Sequence, residues 1–206
     1  MILFDFDGVF VNTFDSLREL TRLFDGVDVP PEEYRSFFDG HLFEHPRRNE
    51  FKSFDDPILK NNFYAGYRDR LSSHSLIDGI DEVTRSLAEN YEMHVVTSGD
   101  QDSISLYLQN NGLLSHFGSV LGWQTHESKI EKFKMLGVSK EEAKNHLFIT
   151  DTLGDLEQAN SLGLPAIGVS WGFHNEDRLK KGNPYAIANT PQELLLLVRD
   201  FYRKTS

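Results

Sequence analysis

Apolar residues recur along the chain with two different periods, and each period predicts a different element. Residues 2–6 form a short apolar run that is interrupted only by Asp5 and is followed by Asp7-Gly8, which predicts a buried strand ending in a turn. Beyond residue 80, predicted helices at 80–89, 102–110, 129–136, 156–162 and 191–203 alternate with predicted strands at 93–97, 119–121, 147–150 and 166–169. Such alternation indicates βαβ units and a parallel sheet with right-handed crossovers.

The chain between the first strand and residue 80 has another pattern. Apolar spacing predicts helices at 16–24, 32–38 and 58–71, and eleven of the 16 phenylalanines lie within the first 63 residues. This segment is expected to be a helical unit with its own aromatic core. We therefore predict an α/β fold in which residues 1–11 and 80–206 form the core and residues 12–79 form a helical cap domain inserted after the first strand.

Composition narrows the class of protein. The chain of 206 residues has a net charge of −11 and no cysteine. The negative charge repels nucleic acids and anionic membranes, and no apolar run is long enough to span a bilayer, so we expect neither as a partner. The lack of cysteine excludes thiolate metal sites and thiol nucleophiles, and it fits a cytoplasmic location.

Polar clusters follow three of the predicted strands, at residues 5–8, 97–100 and 150–155. Because the carboxyl ends of parallel strands lie side by side, the carboxylates of these clusters are expected to converge on one crevice. Those carboxylates are Asp5, Asp7, Asp151 and Asp155. They can stay ionised together only beside a cation, and an all-oxygen donor set favours Mg²⁺.

A divalent metal in an acidic crevice suits a phosphoryl group. The hydroxyls of Thr97 and Ser98, and the N–H groups that open the helix after Asp100, are candidate phosphate donors. An aspartate can attack phosphorus and form an aspartyl-phosphate, while a second carboxylate protonates the leaving oxygen. Asp5 and Asp7, two residues apart at a strand end, suit these two roles.

These motifs together resemble a known family. The string Asp5-Phe6-Asp7-Gly8-Val9, then Thr97, Lys129 and the pair Asp151 and Asp155, follow the order of the four motifs of haloacid dehalogenase-like hydrolases. The chain is most similar to the phosphoglycolate phosphatase and β-phosphoglucomutase branch, which has a Rossmann-like core and a helical cap between motifs one and two. The resemblance covers essentially the whole chain.

The resemblance implies catalytic and metal-binding roles for the four aspartates. Asp5 is the nucleophile and a metal ligand, and Asp7 is the general acid/base that also offers its backbone carbonyl to the metal. Asp151 binds Mg²⁺, and Asp155 binds it directly or through water.

The resemblance also implies a phosphate-binding set. Thr97, with the backbone at Ser98 and Gly99, holds the phosphoryl oxygens, and Lys129 neutralises the charge. Lys129 has an alternative interpretation, because two further lysines at 132 and 134 make a solvated basic face possible.

Three positions depart from the usual family pattern. Val9 and Asn12 stand where threonine and aspartate are more common, which weakens the subfamily assignment more than the activity. Thr150 replaces the glycine that usually precedes the first metal aspartate, and it could take room beside the metal.

The segment from His41 holds two other candidate sites. Residues 41–45 match the H-x-x-E-H pattern of a zinc protease, but Gly40 and Pro46 oppose the helix that this pattern needs, so we expect no zinc there. We predict instead that His41, Arg47 and Arg48 select the substrate by meeting a distal carboxylate or second phosphate. The alternative is a solvated pair of surface arginines.

The predicted function is a Mg²⁺-dependent phosphatase of small phosphorylated metabolites, with phosphoglycolate-like or sugar phosphate monoesters as the leading substrates. A phosphomutase of the β-phosphoglucomutase type would use the same motifs. A catalytically idle binding or regulatory protein on the same fold is the alternative from another class.

Overall fold

A parallel sheet forms the centre of the protein, which a computed structural model describes over residues 1–41 and 45–205. Its strands are β1 Ile2–Phe4, β2 Met93–Val96, β3 Ser119–Leu121, β4 Leu147–Thr150, β5 Ala166–Val169 and β6 Ala186–Ala188. They lie in the order β3-β2-β1-β4-β5-β6, and every neighbouring pair is parallel. The predicted α/β class with a Rossmann-like parallel sheet is confirmed.

Helices precede, connect and follow these strands. The described α-helices are α1 Phe14–Asp25, α2 Pro31–Ser36, α3 Pro57–Leu71, α4 Ile80–Ala88, α5 Gln101–Asn110, α6 Lys129–Met135, α7 Leu153–Leu162, α8 Glu176–Leu179 and α9 Pro191–Thr205. Short 3-10 helices lie at Arg48–Glu50, Lys52–Phe54, Leu114–His116, Ala143–Asn145 and Lys180–Gly182.

Strand β1 lies in the middle of the sheet and is apolar on both faces. Phe4 is the register partner of Val95 in β2 and of Ile149 in β4. Ile2 and Phe4 belong to one hydrophobic cluster, and Leu3 belongs to another on the opposite face. Successive side chains of a strand point to opposite faces, so a sheet covered by helices on both sides needs an uninterrupted apolar strand.

The insertion between β1 and α4 carries α1, α2 and α3 and has its own aromatic cluster. Phe14, Tyr34, Phe37 and Phe51 are buried there, together with Phe173 from the loop after β5. Phe173 packs against Phe14 with ring centroids 5.2 Å apart, so the insertion contacts the loops at the carboxyl edge of the sheet. We keep residues 12–79 as the proposed cap domain.

The structure differs from the sequence-based elements mainly at short or irregular segments. The three-residue β6 and the four-residue α8 were not predicted. β1 ends at Phe4, two residues before the predicted end, and α7 begins at Leu153, three residues before its predicted start. The first shift places Asp5 outside β1, and the second places Asp155 in the first turn of α7.

No helix in the described part of the chain is both long enough and apolar enough to cross a bilayer.

Candidate active site

Three adjacent strands bring the predicted motifs together. β2, β1 and β4 are neighbours, and their carboxyl ends are followed by Thr97, Asp5 and Asp151. All three residues line one cavity of about 120 Å³, together with Asp7 and Asp155. The predicted convergence of the four carboxylates is therefore present in the structure.

Lys129 lies between two of these carboxylates. Its Nζ is 2.8 Å from Oδ2 of Asp5 and 2.5 Å from Oδ2 of Asp155, and all three side chains are buried. Burial alone would lower the pKa of Lys129, but the charges of Asp155 and Asp5 more than offset it, so the pKa is raised and the lysine stays charged. The alternative of a solvated basic face does not hold for this residue.

The pKa values of the two carboxylates that contact Lys129 shift in opposite directions. Burial raises the pKa of Asp5 to about 7 against the attraction of Lys129. For Asp155 the lysine, together with a 2.7 Å hydrogen bond from the Thr150 hydroxyl, outweighs burial and lowers the pKa. Thr150, the departure from the family pattern, therefore holds Asp155 in place.

Asp151 is the most enclosed of the four carboxylates. It is 0% exposed, and its Oδ2 accepts a 2.7 Å hydrogen bond from the Phe173 N–H. Its Oδ1 has no hydrogen-bond partner among the described residues. Burial, followed by the charge of Asp5, raises the pKa of Asp151 well above its ordinary value. A buried carboxylate oxygen without a donor requires either a proton or a cation.

Two glycines leave room for Asp151. A Cβ at Gly8, whose φ is +76°, would lie 1.7 Å from Asp151 Oδ2, and a Cβ at Gly172 would lie 2.4 Å from the same atom. Both positions therefore exclude any larger residue while Asp151 keeps this position.

The charge balance of the site fits a bound divalent cation. Asp5, Asp151 and Asp155 are buried, Lys129 contacts two of them, and Asp151 Oδ1 has no hydrogen-bond donor among the described residues. All available ligand atoms are oxygens, which suits Mg²⁺. Within residues 1–41 and 45–205, however, no group of three or more histidine and carboxylate side chains is already arranged around a metal position. Lys129 Nζ contacts the Asp5 and Asp155 oxygens instead.

Asp7 is hydrogen-bonded to two hydroxyls of the insertion. Its Oδ1 accepts hydrogen bonds from the Thr13 hydroxyl at 2.6 Å and from the Tyr67 hydroxyl at 2.8 Å. Burial is the largest influence on the Asp7 pKa and raises it, although both hydroxyls act in the opposite direction. Tyr67 belongs to α3, so a residue of the proposed cap directly orients this carboxylate.

The loop after β2 provides the expected phosphate-binding groups. Thr97, Ser98 and Gly99 line the cavity, and the Gly99 N–H donates to Thr97 Oγ1 at 3.0 Å. A Cβ at Gly99 would lie 3.1 Å from Asp7 Oδ2, which places this loop against the first motif. Lys132 supports the loop from behind, because its buried Nζ donates to the Thr97 carbonyl at 2.5 Å.

The start of α5 is not the open anion site predicted from the sequence. Asp100 caps this helix with its own carboxylate, which accepts from the Ser103 N–H at 2.9 Å. The Gln101 N–H donates to the Gln124 side chain at 3.0 Å. These amides already have acceptors, so phosphate contacts depend on the loop before them.

The three predicted specificity residues occupy different positions. His41 lines the cavity, whereas Arg47 and Arg48 are not among the described lining residues. Arg47 forms ion pairs with two glutamates, at 33 and 50, and Arg48 pairs with Asp55 at 2.7 Å. The placement of the two arginines agrees better with the alternative, a pair of surface arginines. Their charges are already paired with nearby carboxylates.

The zinc-protease pattern gains no support. Glu44 lies outside the described residues, and the His45 ring packs edge-on against Phe37 with centroids 4.9 Å apart. His45 Nδ1 also accepts the Arg47 N–H at 3.2 Å.

Sequence reasoning missed the residues that support the site from a distance. Tyr67 and Thr13, which donate hydrogen bonds to Asp7, belong to no motif. Hydroxyl side chains are too common for these two to be singled out. Phe173 could have been noticed, because it follows β5 at the same edge of the sheet as the other motifs.

Known proteins share both the sequence pattern and the fold. Residues 2–169 match the family model of haloacid dehalogenase-like hydrolases. A probable phosphatase, IndB, from Dickeya dadantii is 27% identical over 218 residues, with 95% of this chain and 91% of that protein covered. A phosphoglycolate phosphatase from Synechococcus elongatus is 24% identical over 212 residues and covers 98% of this chain and 99% of its own length. The crystal structure of a predicted phosphatase from Clostridium acetobutylicum has a TM-score of 0.72 at 22% identity, with 97% of each chain covered.

Proposed function

Since the chain belongs to the haloacid dehalogenase-like hydrolase family and is an enzyme of the phosphatase type, we propose that it hydrolyses phosphate monoesters of small metabolites through an aspartyl-phosphate on Asp5. The observation that carries the proposal is the shared cavity, in which Asp5 and Asp7 lie with Lys129 and the loop at Thr97. Nucleophile, acid/base, fixed cation and phosphate loop are the parts that such a transfer requires.

In the first step, Asp5 attacks the phosphorus of the ester. A bond forms between an Asp5 carboxylate oxygen and phosphorus, and the bond from phosphorus to the alcohol oxygen breaks. The Phe6 N–H at 2.8 Å and Lys129 at 2.8 Å each hold one oxygen of Asp5, so the carboxylate is oriented before the substrate arrives. Thr97 and its loop bind the phosphoryl oxygens.

Asp7 handles the protons in both steps. Its raised pKa favours the protonated form that delivers a proton to the leaving alcohol oxygen. The resulting carboxylate then removes a proton from the water that attacks the aspartyl-phosphate, which releases inorganic phosphate and restores Asp5. Thr13 and Tyr67 fix the orientation of Asp7 throughout.

Asp5, Asp151 and the Asp7 carbonyl would hold Mg²⁺, with Asp155 adjacent. Bound there, the ion supplies positive charge that neutralises the carboxylates and the phosphoryl oxygens. The donor-free Asp151 Oδ1 supports this assignment.

The test is the hydrolysis of an aryl phosphate by the Asp5→Asn variant. The amide keeps the shape of the side chain but cannot attack phosphorus, so turnover should be lost while circular dichroism and thermal unfolding stay close to those of the wild type. Asp15→Asn, which changes an exposed carboxylate on α1, is the matched control and should keep full activity. Wild-type turnover by Asp5→Asn contradicts the proposal.

A further inference from the structure

The cavity continues from the carboxylates into the insertion, where its wall is aromatic. Nine of its described lining residues carry aromatic rings, and six of these are Phe37, Phe38, Phe51, Phe54, Phe63 and Tyr64. Since the phosphoryl group is held at the sheet edge, this wall surrounds the alcohol part of the substrate.

The aromatic wall has no lysine or arginine among its described residues to balance a negative charge, and His41 is the other basic side chain besides Lys129 that lines the cavity. Lys129 is the only lysine or arginine among the described lining residues, and Asp5 and Asp155 already hold it. The residues at 42–44, outside the described range, are Leu, Phe and Glu in the sequence. Two further acids, Asp25 and Glu127, line the same cavity. An anionic group placed here would lose water without gaining a cation.

Arg47 and Arg48 contact rings of the wall and are not among the described residues that line the cavity. The Arg47 guanidinium is 5.5 Å from the centre of the Phe37 ring, and that of Arg48 is 4.9 Å from the centre of the Phe54 ring. Both rings line the cavity, so the arginines support these rings while their charges pair with surface carboxylates. They therefore cannot bind a distal anionic group of the substrate without breaking those ion pairs.

Asp25 places a carboxylate in the aromatic wall. Its two carboxylate oxygens accept from the Ser53 N–H at 2.6 Å and from the Ser53 hydroxyl at 3.0 Å. A carboxylate has about four acceptor positions, so lone pairs remain for a hydrogen-bond donor on the substrate.

The size of the cavity limits the occupant. Its volume of about 120 Å³, which also has to hold the phosphoryl group, is smaller than the roughly 150 Å³ apolar cavity that accommodates benzene. The space therefore limits the enclosed alcohol part to a compact group.

We propose that the substrate is a phosphate monoester whose alcohol part is compact, largely apolar and free of negative charge, with a hydrogen-bond donor for Asp25. This inference rests on the proposed phosphatase function and narrows its substrate. It disfavours phosphoglycolate, whose carboxylate would face this wall, and it disfavours the bisphosphate that a phosphomutase would hold.

The experiment compares two aryl phosphates of equal shape, 4-carbamoylphenyl phosphate and 4-carboxyphenyl phosphate, with phosphate release as the readout. The neutral amide should have a kcat/KM at least about tenfold higher than that of the anionic acid, and the difference should lie mainly in KM. Equal values, or a preference for the acid, overturn the inference while leaving the phosphatase function intact. Phosphate release from neither compound nor from methyl phosphate overturns the phosphatase function, and the inference with it.

A pair of neighbouring phenylalanines provides the matched variants. Phe63 lines the cavity, and Phe24, whose ring centroid is 6.3 Å away, is not among the described lining residues. Phe63→Leu should raise KM for the carbamoylphenyl ester but not for methyl phosphate, whereas Phe24→Leu should leave both values unchanged. Equal effects of the two substitutions would show that the wall does not contact the substrate.

Discussion

Lys132 is a buried lysine whose removal tests the electrostatics of this fold most simply. Its side chain is 0% exposed, and its Nζ donates to the carbonyls of Thr97 and Gly122 at 2.5 and 3.4 Å. Burial, reinforced by the charge of Lys129, lowers the pKa of Lys132 from 10.5 to about 7. The proposed perturbation is Lys132→Met, which keeps the length of the side chain and removes the amine.

The direction of the effect follows from the pKa of Lys132 in the folded chain, about 7, and from its ordinary value of 10.5 in the unfolded chain. Between about pH 7 and pH 10.5 the unfolded chain binds a proton that the folded chain has lost, so the free energy of unfolding rises with pH. From pH 7 to pH 9 this one group should add about 2 kcal/mol to wild-type stability, at 1.36 kcal/mol per unit of pKa difference. The methionine variant should lack this rise. A separate cost of about 1–3 kcal/mol, which does not change with pH, comes from the Thr97 carbonyl that is left without its donor.

The assay is urea unfolding of both proteins at pH 7 and pH 9, followed by tryptophan fluorescence. Taking the difference between wild type and variant cancels the other titrating groups. Lys134→Met, an exposed position on the same helix, is the control and should keep the wild-type pH dependence. If Lys132→Met and the wild type gain the same stability between pH 7 and pH 9, the buried amine is charged throughout and the reasoning fails.

Three further substitutions test individual parts of the site. Gly8→Ala should lower the free energy of unfolding by about 2–5 kcal/mol, from strain at positive φ and overlap with Asp151, and should abolish activity. The control is Gly137→Ala, at φ +85° with nothing within 4 Å of its Cβ. It should lower the free energy of unfolding by only about 1–2 kcal/mol in the same urea titration. Tyr67→Phe removes one of the two hydroxyls on Asp7 and should lower kcat by about tenfold with little change in KM, so an unchanged kcat would show that the hydroxyl has no positioning role. Asp7→Asn should slow alkyl phosphates far more than nitrophenyl phosphate, because only poor leaving groups need a proton, and an equal loss on both would remove Asp7 from the acid role.

The sheet could be predicted because its signal is local. Each of the five predicted strands is a short, mainly apolar run, and three of them are followed directly in the sequence by a polar motif. The placement of Lys129 was harder, since three lysines share one segment and only tertiary contact distinguishes them. In the structure Lys129 and Lys132 are both buried, whereas Lys134 is exposed and pairs with Glu131.

The cap could not be interpreted in the same way. Its many phenylalanines indicated a core, and several of them do form one, but some of the same rings also line the cavity. Whether a ring faces a core or a cavity depends on how the insertion closes over the sheet, which no local pattern encodes. The ion pairs of Arg47 and Arg48 could not be predicted for a related reason. Their acidic partners lie 3 to 14 residues away along the chain, and only the fold pairs them.

The central claim is that Asp5 carries the phosphoryl group during turnover. The direct measurement is rapid acid quenching of the wild-type enzyme with a ³²P-labelled aryl phosphate, followed by proteolysis and mass spectrometry of the labelled peptide. We expect the label on the N-terminal peptide at Asp5, lost on treatment with hydroxylamine as for an acyl phosphate, and absent from Asp5→Asn. Label on another residue, or turnover with no labelled enzyme even when Asp7→Asn slows the second step, would contradict the account.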